Sequence, residues 1–142
     1  MLKEQLNQLY EEYGYRKFRM SKFEDYDLYA QNKDFLKKGH IITFTDGDGS
    51  LKALKPDITL SIMKSNGGDS EKVYYNENVC REVGGAFREI LQVGVESVGQ
   101  IDPYAEAEVI VLAAKSLRTI SEDYVLDLSD VSFVGGRWTA WG

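Results

Sequence analysis

Apolar residues recur at helical spacing at the start of the chain. Leu2, Leu6, Leu9, Tyr10 and Tyr13 are separated by Lys, Glu, Gln and Asn, which predicts an amphipathic helix over 2–13 that Gly14 ends. The period then drops towards two. YRKFRMSKFEDYDLY, 15–29, alternates aromatic and polar residues, predicting a strand followed by a tyrosine-rich stretch able to turn helical. The burial area of the aromatics assigns them to a core. IITFT (41–45) and LKALK (51–55) flank DGDGS, whose glycines supply the positive φ of a tight return, so this region reads as a hairpin. PDITLSIMKSN, 56–66, suits a short helix with Pro56 at or near its start. NGGDS is a loop, and KVYYNENVCRE, 72–82, is a strand by its Val and Tyr content.

CREVGGAFREILQVGVESVG, 80–99, reads as two strands around a turn at Gly84 and Gly85. Strand alternation sends Leu91, Val93 and Val95 to one face and Gln92, Gly94 and Glu96 to the other. One face is apolar; the other carries an amide, an acid and a glycine. IDPYAEAEVIVLAAKSLRTI, 101–120, follows as a helix, with Asp102 as cap, Pro103 in the first turn and Lys115 and Arg118 near the negative end. Its stripe is Ile110, Ala113, Leu117 and Ile120. YVLDLS, 124–129, is expected to close as a strand, and VGG, 134–136, as a turn. Hairpin returns with helices before and after predict an α+β fold, an antiparallel β-sheet flanked by helices.

The 142 residues fit one domain large enough for a core. Asp and Glu number 23 against 17 Lys and Arg, with no basic block to follow a phosphate backbone, so charge suggests no nucleic acid partner. The single Cys80 cannot close an internal disulfide and suits a reducing, cytoplasmic compartment. MLKEQLNQLYEEYGY is charged from its third residue, as neither a signal peptide nor a membrane span would be.

The polar face is the candidate chemistry. With Arg81 on the neighbouring strand it offers a fixed cation, an anion, an amide and, at Gly94, room for something flat. A guanidinium holds a carboxylate bidentately and a carboxylate accepts from an ammonium or a ring N–H, a combination that suits a small zwitterion such as an amino acid. Each buried polar group left unpaired costs about 1–3 kcal/mol, so these residues pair with a ligand or with one another. An internal Arg81–Glu96 salt bridge is the equal alternative. Asp46, Asp48, Ser50 and Asp57 match EF-hand positions one, three, five and twelve, but Leu51 occupies the sixth, where the bend needs Gly, and the flanks read as strands, so no metal site is assigned. His40, the one histidine, has no Ser or Cys partner in its context, and neither GGD nor VGG carries the Lys and Ser or Thr of a phosphate loop. No cofactor is implied, and enzyme and binding module both stay open.

The order LKPDITLSI, NENVCREV, FREILQVGVESVG, a helix and YVLDLS resembles the catalytic core of class II histidyl-tRNA synthetases. It resembles more closely their non-aminoacylating relatives, the regulatory subunits of ATP phosphoribosyltransferase, over about Tyr13 to Phe133. That resemblance implies a class II synthetase-like fold and a histidine pocket. The family segment touching the amino group of histidine matches Lys55, Pro56, Asp57 and Thr59, the motif 2 arginine matches Arg81, and the following strand's pair matches Gln92 and Glu96.

The resemblance also implies partners: L-histidine, a short-form ATP phosphoribosyltransferase catalytic subunit, and a homodimer within a hetero-oligomer. On this reading the chain regulates and does not catalyse; the alternatives are a fragment of an aminoacylating histidyl-tRNA synthetase and a stand-alone amino-acid sensor. Three departures bear on the choice. Val83 stands where the synthetases place a glutamate for adenine, beside a turn too short for their nucleotide loop; Ser21 replaces the motif 1 proline; and Gly142 ends the sequence before motif 3. DLSDVSFVGGRWTAWG breaks off where the family continues, with Asp130 at the place of an expected His, so the chain reads as a C-terminally truncated single domain, 1–142.

Overall fold

Residues 1–33 and 39–130 are described by a computed structural model. The elements in chain order are α1 (Leu2–Glu12), β1 (Arg16–Lys17), β2 (Phe23–Asp25), α2 (Tyr26–Gln31), β3 (Thr43–Thr45), β4 (Leu51–Leu54), α3 (Thr59–Ser65), β5 (Glu71–Val83), β6 (Ala86–Val98) and α4 (Pro103–Ile120). The α+β fold is the expected one, with its strands divided between two three-stranded sheets, β1-β5-β6 and β2-β4-β3. Every pairing is antiparallel except β1 with β5, which is parallel.

The long β5–β6 hairpin is the frame. Its strands close at Val83 and Ala86 through Gly84 and Gly85, whose φ angles of 61° and 79° are the two positive values that a two-residue primed turn requires. Register follows from that turn, so residues facing each other across the hairpin include Glu77 and Gln92, Tyr75 and Gly94, and Val73 and Glu96.

Each face of the hairpin packs against other elements, although Phe87 and Leu91 towards its turn stay exposed. On one, Tyr74 packs with Leu6, Tyr10 and Tyr15 and with Leu112 of α4, and Val93 and Val95 join them. On the other, Val73, Tyr75 and Val79 pack with Ile58 and Ile62, with Ile90 and Val98 at the margin. Leu60, on the opposite side of α3, packs with Tyr29 of α2 and Ala53 of β4. Helix α3 is thus wedged between the two sheets, and the residues that lead into it are held over the polar face of β6.

Two expectations change. Residues 124–129 form no strand, and Val125 is 82% exposed; an extended segment needs a neighbour to take its backbone bonds, and none of the described strands pairs with it. Helix α4 begins as expected, with the Asp102 carboxylate accepting from Ala105 N at 2.7 Å, but Ile110 and Ile120 are exposed at 40% and 60%. The buried residues are Glu108 and Leu112. Glu108 pairs with Lys72 at 2.5 Å, and Ser116 bonds Tyr10 at 2.8 Å, so polar contacts lie beside Leu112 on the packed side of this helix. The segment expected to turn at 134–136 lies outside the described residues.

Candidate functional site

The polar face of the hairpin is built from three directions. Strand β6 contributes Gln92, Gly94 and Glu96 at alternate positions, β5 contributes Tyr75 and Arg81, and the segment entering α3 brings Asp57 and Thr59. Arg81 stands opposite Arg88, on the same face as Gln92, because odd residues of β5 and even residues of β6 share a side. The five residues singled out in the sequence, Asp57, Thr59, Arg81, Gln92 and Glu96, therefore converge.

Arg81 is held from behind. Its Nε donates to Pro56 O at 2.7 Å, Nη2 donates to Gln92 Oε1 at 2.9 Å, and Asp57 Oδ2 lies 3.5 Å from Nη2. These contacts leave the Nη1 side of the guanidinium without an acceptor among the described residues, and the side chain is 43% exposed. A planar cation fixed along one edge and open along another is ready for a carboxylate.

The acidic end is deeper. Thr59 Oγ1 donates to Glu96 Oε1 at 2.7 Å, and Tyr75 Oη donates to the same oxygen at 3.4 Å. Oε2 has no hydrogen-bond partner among the described residues. Burial raises the Glu96 carboxyl above its ordinary value and nearby Asp57 adds to the rise, while the bonds from Thr59 and Tyr75 oppose it. Asp57 already has Arg81 at 3.5 Å, so Glu96, engaged only through Oε1, is the acid left to take a donor from a ligand. Arg81 and Glu96 do not pair with each other; each is engaged separately, which sets aside the internal salt bridge.

Tyr75 is the residue that sequence reasoning missed. The room expected at Gly94 is taken by its ring: a Cβ at Gly94 would lie 2.6 Å from Tyr75 Oη and 2.8 Å from Cζ. The hydroxyl sits between Gln92 Nε2, which donates to it at 3.4 Å, and Glu96. Burial and the Glu96 charge push the phenol up to about 12, so it is a neutral donor over the ordinary pH range. The signal was present in the sequence: counting back from the Gly84–Gly85 turn places Tyr75 across from Gly94, and an aromatic facing a glycine on a neighbouring strand covers it.

Other sequence candidates lie elsewhere. DGDGS forms the hairpin loop between β3 and β4, where Asp46 N donates to Ser50 O at 2.9 Å and Ser50 N to Asp48 Oδ1 at 2.8 Å. His40 meets Glu82 through Nδ1 at 2.5 Å at the exposed end of β5. No group of three metal-ligating side chains occurs among the described residues, nor any helix long and apolar enough to cross a membrane.

Comparison with known proteins gives this geometry a family. A curated relative from Methanocaldococcus jannaschii, named histidine–tRNA ligase, is 29% identical over 140 residues, covering 92% of this chain and 34% of its own. A relative from Thermoanaerobacter, named ATP phosphoribosyltransferase regulatory subunit, is 30% identical over 142 residues, covering 93% and 36%. The chain thus spans about a third of the length of these relatives. Among solved structures, a Bacillus halodurans protein titled as an ATP phosphoribosyltransferase regulatory subunit/histidyl-tRNA synthetase superimposes with a TM-score of 0.70 at 23% identity, over 84% of this chain and 33% of that one, which establishes the fold. The protein-family model described as Histidyl-tRNA synthetase matches residues 1–139, and the chain belongs to that family.

Proposed function

We propose that this chain carries the histidine pocket of an ATP phosphoribosyltransferase regulatory subunit, joining a short-form catalytic subunit, activating it and relaying feedback by L-histidine. In this reading Arg81 takes the histidine carboxylate on its open Nη1 side. Asp57 and Thr59 meet the ammonium, and Glu96 takes an imidazole N–H on Oε2. Gln92 acts indirectly, through its bonds to Arg81 and Tyr75. Histidine regulates only if it binds one arrangement of the complex better than another, and couplings of this kind amount to about 1–3 kcal/mol.

One observation favours regulation over aminoacylation. The hairpin beside the proposed pocket closes in two residues, Gly84 and Gly85, with Val83 paired to Ala86, so no long loop joins these two strands to fold over a nucleotide. The aminoacylating reading is supported by the relative named histidine–tRNA ligase. The two separate in one assay series. The condensation of ATP with phosphoribosyl pyrophosphate by a short-form catalytic subunit is followed with and without this chain, then with L-histidine. Stimulation that histidine reverses is the expected result. No stimulation, together with histidine-dependent exchange of pyrophosphate into ATP, would replace this reading with the aminoacylating one.

A further inference from the structure

The polar residues of the pocket face do not act singly, because one hydroxyl joins them. Tyr75 is 5% exposed, its ring packs with Ile58, Ile62, Val73 and Val79, and it reaches the polar face only because position 94 has no side chain. At 3.4 Å from both Gln92 Nε2 and Glu96 Oε1, its hydroxyl accepts from the first and donates to the second. A phenol has one proton to donate, so this arrangement fixes the direction of the whole chain of bonds: Gln92 Oε1 is turned to Arg81, Gln92 Nε2 to Tyr75, and Tyr75 to Glu96.

We propose that Tyr75 is a positioning residue of the amino-acid pocket, whose shared hydroxyl orients Gln92 towards Arg81 and holds Glu96 so that a ligand meets only its Oε2. The proposal rests on the reading of this face as an amino-acid pocket and adds to it a rule of specificity. With Oε1 already taken by Thr59 and Tyr75, Glu96 offers a ligand Oε2 alone, which suits a lone N–H such as an imidazole's and gives no bidentate grip to a guanidinium. The bond also links the two ends of the pocket, so that the setting of Gln92 against Arg81 depends on the same hydroxyl that restrains Glu96.

Two substitutions test this by the size of one shift. The Glu96 carboxyl is titrated by carbon NMR in the 142-residue chain, in Tyr75→Phe and in Gln92→Met. The charged group that acts on it is Asp57 ahead of α3, with Glu77 and Arg81 of β5 further along the same face, all unchanged in both variants. Tyr75→Phe keeps the ring over Gly94 and removes a donor to the ionised acid, so the Glu96 midpoint moves up. Gln92→Met removes the donor to the hydroxyl and leaves the hydroxyl's own proton on Glu96, so the midpoint moves by less than in Tyr75→Phe. L-histidine affinity falls roughly three- to tenfold in Tyr75→Phe, as for loss of one ordinary hydrogen bond. An unmoved midpoint in folded Tyr75→Phe, or a shift in Gln92→Met as large as in Tyr75→Phe, would overturn the positioning role. The histidine titration judges the pocket separately: if the unsubstituted chain takes no histidine, the amino-acid reading fails, while the role of Tyr75 in orienting Glu96 is still decided by the two midpoints.

Discussion

Gly94→Ala is the smallest change that probes the centre of the site. The added Cβ would stand 2.6 Å from Tyr75 Oη, 2.8 Å from Cζ and 3.2 Å from Cε2, where carbon and oxygen ordinarily meet beyond about 3.4 Å. The Gly94 backbone is ordinary for a strand, so the substitution adds a clash and no backbone strain. Tyr75 cannot swing aside freely, because its ring is locked among Ile58, Ile62, Val73 and Val79. Overpacking of this kind costs about 1–3 kcal/mol. At about 3 °C per kcal/mol for a chain of this size, the thermal midpoint falls by roughly 3–9 °C, measured by circular dichroism. The clash is specific to the tyrosine, so the decisive measurement is a double-mutant cycle with Tyr75→Leu. In that background the added methyl meets open space, and Gly94→Ala costs about 0.5 kcal/mol or less. Equal costs in both backgrounds, or a cost near zero in the unsubstituted chain, would refute the placement of Tyr75 over Gly94.

Other substitutions probe the site and its frame. Glu96→Gln separates stability from binding: because the folded carboxyl titrates above its ordinary 4.5, folding takes up a proton between the two values, and the stability of the unsubstituted chain falls as pH rises through that window and is level above it. The glutamine variant lacks this fall, so denaturant melts show it gaining relative stability with rising pH; a gain on acidification would contradict the sign. Gly99→Ala meets backbone, with the new Cβ 2.6 Å from Ser70 Cα at a residue whose φ is +105°, and urea melts are expected to show a loss of about 2 kcal/mol or more. A change within about 0.5 kcal/mol would mean that the end of the hairpin is looser than this geometry.

The hairpin and its polar face were legible because a two-residue glycine turn fixes register and strand alternation fixes sides; from those alone Gln92 and Glu96 fall together and Arg81 joins them. Asp57 and Thr59 were reached through family resemblance, since no local pattern says that the start of α3 packs over β6. Tyr75 went unread because aromatic residues in a strand look like core, and it is core: its ring is buried and only its hydroxyl enters the site. Helix α4 misled for a related reason. Its sequence is apolar around much of its circumference, so periodicity marks a helix without marking which side packs; that side carries Leu112 together with the polar Glu108 and Ser116. The strand expected at 124–129 shows the limit of propensity, because a Val- and Leu-containing run becomes a strand only beside a partner.

Calorimetric titration of L-histidine into this chain, repeated with Glu96→Gln, tests the pocket most directly. Saturable binding of one histidine per chain is predicted, weakened roughly 10- to 100-fold in the variant, as for loss of a charge-assisted hydrogen bond of about 1.5–3 kcal/mol. Absence of binding, or equal affinity in the two proteins, would contradict the assignment of this face to histidine.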